Sequence, residues 1–91
     1  MDDTSIKKIS FILSGENRLK IYFLLINDYK TASQIAKELN LALSSVCRSL
    51  NDLKQFGLIS ASSAYKKRGN IYFINKDEDY DDIKNYFSKN C

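Results

Sequence analysis

No histidine occurs in the 91 residues, and there are only two cysteines, Cys47 and Cys91. Without imidazole a zinc or copper centre is short of ligands. Two thiols so far apart in sequence make neither a disulfide framework nor a thiolate cluster. The same absence removes the Ser/His/Asp and Cys/His arrangements of nucleophilic catalysis, and three glycines in all do not assemble into a phosphate-cradling loop. The expectation is a protein that is not an enzyme and holds no metal and no cofactor. Proline is also missing. With no low-complexity run and no internal repeat, the chain reads as one domain over residues 1–91, without a linker. The longest apolar run, Ile21 to Ile26, is far too short to span a bilayer, and MDDTSIKK lacks the basic-then-apolar order of a signal peptide. A soluble, cytoplasmic protein without membrane association is therefore expected.

Charge is present in quantity, and it is unevenly placed. The formal net charge is +3, yet five of the eleven acids (Asp77, Glu78, Asp79, Asp81, Asp82) stand together near the C-terminus. Residues 1–76 hold twelve Lys or Arg and six Asp or Glu, a balance of +6. Such a body suits a polyanionic partner, because released counterions drive the association. A solvated lysine-rich surface would have the same totals. The acidic cluster reads as the opening of a last helix, where carboxylates favour the positive end of the dipole.

Periodicity predicts a helix over Thr4–Leu13 with Ile6, Ile9 and Leu13 inward, and a second from Glu16 to about Asn27 with Ser14 as its cap. The second helix presents Leu19, Tyr22, Phe23 and Ile26 on one side, and Ile21, Leu24 and Leu25 make it apolar almost all round. Either a second copy of the chain or the two terminal helices of the same chain must cover it. The segment TASQIAKELN reads as a third helix, with Thr31 and Gln34 in capping-box spacing and Ala32, Ile35, Ala36 and Leu39 on one face. A break from Asn40 to Leu43 follows. SSVCRSLNDLKQF is then a fourth helix, whose buried stripe is expected to be Leu43, Val46, Leu50 and Leu53, with Gly57 as a left-handed stop.

Across from that stripe, at 100° per residue, Ser44, Arg48, Asn51 and Gln55 fall nearly on one line. Arginine can pair bidentately with guanine, asparagine and glutamine with adenine, and serine with several partners, which is the chemistry that major-groove edges require. Any surface helix also needs a polar face, so the position of this helix, second in a helix-turn-helix, carries the functional reading. Beyond Gly57, residues 58–65 and 70–74 read as antiparallel strands around Lys66-Lys67-Arg68-Gly69. Three adjacent cations repel one another unless phosphates of a neighbouring minor groove relieve them. As a plain turn, the same residues would solubilise the hairpin. Tyr80, Ile83, Tyr86 and Phe87 end the chain at helical spacing and call for a packing partner.

The fold class expected is mainly α with a small β-hairpin (α+β): a winged helix-turn-helix with 31–56 as the helix-turn-helix, 58–75 as the wing hairpin, and extra terminal helices at 4–13 and 80–90. From Ile12 to Ile74 the chain resembles the ArsR-type winged-helix regulators. LSGENRLKIYFLLI is similar to that family's opening helix, with Arg18 in the place of its arginine. SQIAKELNLALSSVCRSLNDLKQFGLI resembles its helix-turn-helix and ends in the L-x-x-x-G-L-[IV] pattern as Leu53, Gly57, Leu58 and Ile59. RGNIYFI resembles the return strand of its wing. Metal-sensing members carry a cysteine pair about where Thr31 and Ser33 stand, and hydroxyls do not replace thiolates, so metal sensing is not carried over. Where the family often has Ser-Arg-His, this chain has Cys47-Arg48-Ser49. Arg48 keeps the match, and Cys47 reads either as a small packed residue or as an oxidisable thiol beside DNA.

The resemblance implies a dimeric, DNA-binding transcriptional regulator. In that reading Ala42, Ser44, Ser45 and Arg48 approach bases or phosphates first, while Asn51 and Gln55 lie farther along the helix. Thr31, Ser33 and Gln34 are placed for phosphate contact, and Lys66, Lys67 and Arg68 hold the wing on the flanking groove. Partners are double-stranded DNA and a second copy held through the terminal helices. The rivals are a winged-helix module that docks onto another protein, a non-specific architectural DNA-binding protein, and an RNA binder.

Overall fold

The computed structural model describes residues 3–63 and 70–90. Its elements run α1 (Asp3–Leu13), α2 (Glu16–Asn27), β1 (Lys30–Thr31), α3 (Ala32–Leu39), α4 (Leu43–Gln55), β2 (Ile59–Ser62), β3 (Ile71–Ile74) and α5 (Glu78–Asn90). Among the described residues no helix is long and apolar enough to cross a membrane. The strands form one antiparallel sheet in the order β1-β3-β2. Ile59 faces Ile74 and Ser62 faces Ile71 in the hairpin, and Thr31 pairs with Ile71 on the other edge. Two-residue β1 has no period of its own, and the sequence reading had no strand there. The pairing ties the start of α3 to the wing.

Side chains from every helix and from the hairpin meet in one core, which includes Ile12, Ile21, Tyr22, Ile35, Val46, Leu50, Leu53, Ile59 and Ile83. Burial of each full aliphatic side chain contributes about 1.5–3 kcal/mol. The stripe on α3 is as expected: Ile35 is buried, and Ala32, Ala36 and Leu39 pack against the core.

Three expectations about faces and caps need correction. The buried residues of α1 are Ser5, Lys8, Ile9 and Ile12, whereas Ile6 and Leu13 are 49% and 47% exposed. The helix is thus turned by roughly 60° from its most apolar orientation. The cause lies on α5. Ser5 Oγ sits 2.9 Å from Asp79 Oδ1 and 3.1 Å from Asp82 Oδ2, and Lys8 Nζ lies 3.0 Å from Asp79 Oδ2 and 3.4 Å from Asp77 Oδ2. Asp77 Oδ1 also accepts from the backbone N–H groups of Asp79 and Tyr80 and so caps α5. The acidic cluster therefore opens the last helix as expected, and it clasps the first helix as well. Leu43, assigned to the buried stripe of α4, is 49% exposed at the first turn of that helix, which shortens the break to Asn40–Ala42. Ser14 does not cap α2. Its hydroxyl donates to the Phe11 carbonyl at 2.8 Å, and the N-cap position falls to Gly15, with no side-chain cap.

The apolar circumference of α2 finds its cover inside the chain. Ile21, Tyr22 and Leu25 are buried, Phe23 meets the Phe87 ring edge-on at 4.9 Å, and Phe87 also contacts Tyr22 and Tyr86. Within the chain, α4, α1 and β3 pack on α2, and the Phe87 ring of α5 adds to this cover.

Candidate nucleic-acid interface

The helix-turn-helix is built from two well-stopped helices. Thr31 Oγ1 accepts from the Gln34 backbone N–H at 3.2 Å, and Gln34 Oε1 accepts from the Thr31 N–H at 2.9 Å, which completes the capping box expected at the start of α3. At its other end Asn40 adopts the left-handed conformation, φ 55° and ψ 48°, and the Leu41 N–H reaches back to the Ala36 carbonyl at 3.0 Å. Asparagine is among the few non-glycine residues that tolerate this region, and the reversal aims the chain into α4.

Helix α4 is anchored along one side and open along the other. Val46, Leu50 and Leu53 are fully buried. After Gln55 the Leu58 N–H bonds to the Leu53 carbonyl and the Gly57 N–H to the Lys54 carbonyl, with Gly57 at φ 79°. That is a Schellman stop, so the glycine has the role its position suggested. Ser44, Arg48, Asn51 and Gln55 are all exposed, on one line as expected from the helical period. Ala42 is the exposed N-cap and provides no side-chain bond, so the first amides of α4 lack a capping oxygen. Ser45 is half-buried and Ser33 exposed. Thr31 and Gln34 already serve the capping box, so their hydrogen-bonding oxygens are committed within the chain. The three wing cations, Lys66, Lys67 and Arg68, lie outside the described residues.

Cys47 is exposed on α4. Of the two readings open for it, the packed one is overturned: it follows Val46 by one residue and so projects away from the buried stripe.

Arg18 connects this helix to the rest of the body. Its Nε donates to the Phe11 carbonyl at 3.1 Å, its Nη2 donates to Ser14 Oγ, and its Nη1 lies 3.8 Å from Asp52 Oδ2 on α4. The guanidinium carbon sits 4.2 Å from the centre of the Phe11 ring, which also stacks on Phe56, just beyond α4, at 4.4 Å and 3°.

Sequence reasoning missed two residues beside the polar line. A notch of about 230 Å³ lies between the start of α2 and α4, lined by Asn17, Ser44, Ser45, Arg48 and Ser49. Ser49 is 8% exposed. It follows Val46 by three residues and precedes Leu53 by four, so a serine on the buried stripe was the available signal.

The model of the bacterial regulatory protein, arsR family, matches residues 15–61. No curated relative matches the chain. Solved structures of similar fold include reduced HlyU from Vibrio cholerae, with a TM-score of 0.77 and 18% identity over 96% of this chain and 90% of that one. The homodimeric winged helix-turn-helix DNA-binding domain of Mb0332 from Mycobacterium bovis is similar with a TM-score of 0.71 and 23% identity, over 92% and 72% of the two chains. ZitR from Lactococcus lactis in complex with DNA gives 0.61 and 22%, over 67% of this chain and 42% of the other.

Proposed function

Because the chain belongs to the arsR family of bacterial regulatory proteins, we propose that it acts as a homodimeric transcriptional regulator that reads double-stranded DNA with α4. The observation that carries this reading is the exposed line Ser44, Arg48, Asn51 and Gln55 on the second helix of the motif. Its donors and acceptors match base edges of the major groove. Arg48 has neither an ion pair nor a hydrogen bond among the described residues, so its guanidinium needs no intramolecular partner broken before it meets a guanine.

Phosphate contacts then come from the start of each helix of the motif. Ala42 and Ser45 lie at the uncapped N-terminus of α4, where backbone amides and the dipole favour an anion. Ser33 presents its hydroxyl at the start of α3, and Thr31 and Gln34 hold that helix end in place and approach the same strand. Lys66, Lys67 and Arg68 reach the flanking minor groove from the wing, where released counterions add sequence-independent affinity.

The single-domain reading over residues 1–91 assigns dimerisation to the terminal helices, 4–13 and 80–90. The exposed Ile6 and Leu13 on α1 support it: they stand seven residues apart on one face, left open by the rotation that points Ser5 and Lys8 toward α5. A two-fold dimer recognises a pseudo-palindrome with half-sites about one helical turn apart.

Fluorescence-anisotropy titration against a random duplex pool and its selected winners, at two salt concentrations and with sedimentation of the same sample, tests the proposal. Tight, salt-dependent selection of an inverted repeat by a dimer is the expected result. Binding without selection would replace it with an architectural role, and no binding at low salt would replace it with a protein-docking module.

A further inference from the structure

The notch between α2 and α4 has an unusual lining for a protein of this charge. Its five bordering residues are one arginine, one carboxamide and three hydroxyls, with no carboxylate and no apolar side chain. All of them can donate hydrogen bonds. One wall is Asn17, in the first turn of α2, whose ladder begins only with the Leu19 N–H on the Gly15 carbonyl, 3.0 Å. With Gly15 as N-cap and no side-chain cap, the amides of Glu16, Asn17 and Arg18 have no acceptor in the helix. The opposite wall carries Ser49, more than nine-tenths buried, which no hydrogen-bonding partner in the described chain satisfies. Its hydroxyl is left open to the notch, a hollow large enough for an anion.

We propose that this notch binds a phosphate of the DNA backbone at the edge of the major groove entered by α4. The inference rests on the DNA-binding reading above and adds to it a site on α2, a helix outside the helix-turn-helix. Asn17 and Ser49 donate to the phosphate oxygens, and the α2 dipole and Arg48 supply the positive field. The two neighbouring acids, Glu16 and Asp52, line the adjoining hollow with Asn17, Arg48 and Ser49, and each has a cation beside it, Lys20 at 3.2 Å from Glu16 and Arg18 at 3.8 Å from Asp52. Geometry favours the backbone over a base here: Ser45, Ser49 and Asp52 form the flank of α4 that faces α2, roughly 100° round from the base-facing line.

The test compares the full-length protein with Asn17→Ala, Asn17→Asp and Ser49→Ala, each first shown by thermal melting to be folded. Phosphate contacts carry no sequence information. The alanine variants should therefore lose about two- to tenfold in affinity, the worth of one hydrogen bond, equally on selected and random duplexes. Asn17→Asp should lose more than Asn17→Ala, because it places a like charge at the phosphate. A second readout replaces single phosphates of the selected duplex by neutral methylphosphonates. One replacement flanking the half-site should weaken the wild type and leave Asn17→Asp unweakened, since the repulsive charge is gone. If the folded variants bind as the wild type does, or if wild type and Asn17→Asp respond alike at every backbone position, the notch is not a phosphate site although the protein binds DNA. A wild type that binds no duplex at low salt would instead overturn the DNA-binding reading, and the notch assignment with it.

Discussion

Arg18 and Phe11 are joined twice: the guanidinium carbon lies 4.2 Å from the ring centre, and Nε donates to the Phe11 carbonyl at 3.1 Å. The ring of Phe11 also stacks on Phe56, and Arg18 approaches Asp52, so one contact between α1 and α2 extends to the C-terminal half of α4. The orientation of the exposed polar line on α4 therefore depends on a side chain that lies outside that line.

Arg18→Ala should destabilise the fold by about 1–2 kcal/mol, the combined worth of a cation–π contact and a carbonyl hydrogen bond. Arg18→Lys should recover less than half of that, because an ammonium cannot hold the Phe11 carbonyl, Ser14 and Asp52 with one planar fork. Urea denaturation with an unchanged slope is the measurement.

Arg48→Ala should cost about 1–3 kcal/mol on a selected site and much less on random duplex. Neutralising Lys66, Lys67 and Arg68 together should weaken binding to all sequences and flatten the dependence on salt. Equal losses on both duplexes for Arg48→Ala would remove its base-reading role.

The two exposed α1 residues provide a test of the dimer. Ile6→Glu with Leu13→Glu should leave the melting temperature of the monomer nearly unchanged, because neither side chain is in the core. Sedimentation should shift to the monomer, and affinity for an inverted repeat should fall with it. A double variant that still sediments as a dimer places the interface elsewhere.

The α1–α5 clasp predicts opposite effects of acid and base. For Lys8, burial alone would lower the pKa, but its hydrogen bond to Asp79 and the charges of Asp77 and Asp79 outweigh it, and the net direction is upward from 10.5. The hydrogen bonds from Lys8 and Ser5 hold Asp79 below its ordinary 3.8. The contribution of Asp79 is thus complete above pH 3.8 and is lost as pH falls through its lower folded value. That of Lys8 is complete below pH 10.5 and is lost as pH rises through its higher one. Asp79→Asn should lower Tm at neutral pH and make the fall of Tm toward acid shallower than in the wild type. Parallel acid limbs for the two proteins would show that the clasp does not contribute.

Where the local pattern was strong, the sequence was legible. The capping box of Thr31 and Gln34, the glycine stop at Gly57 and the buried line Val46, Leu50 and Leu53 each follow from spacing within a few residues, and each is present. Ile6, Leu13 and Leu43 are exposed although their apolar character points them inward. On α1 the ion pair and hydrogen bonds to Asp77, Asp79 and Asp82, some 70 residues away in sequence, set the rotation of the helix. Ser14 has the residue type of a cap, and the chain uses it instead to hold Phe11 and Arg18.

The order of the helices and of the hairpin strands, the helix-turn-helix and the polar line on α4 follow from consecutive residues alone, because helical period, caps and stops are local properties, whereas strand β1 does not. Only the tertiary structure decided which face of α1 is left open, that α2 is covered within its own chain, and that Asn17 meets Ser49 across a polar notch. Those depend on which distant side chains become neighbours, and contact between residues far apart in the chain leaves no period in the sequence around either of them.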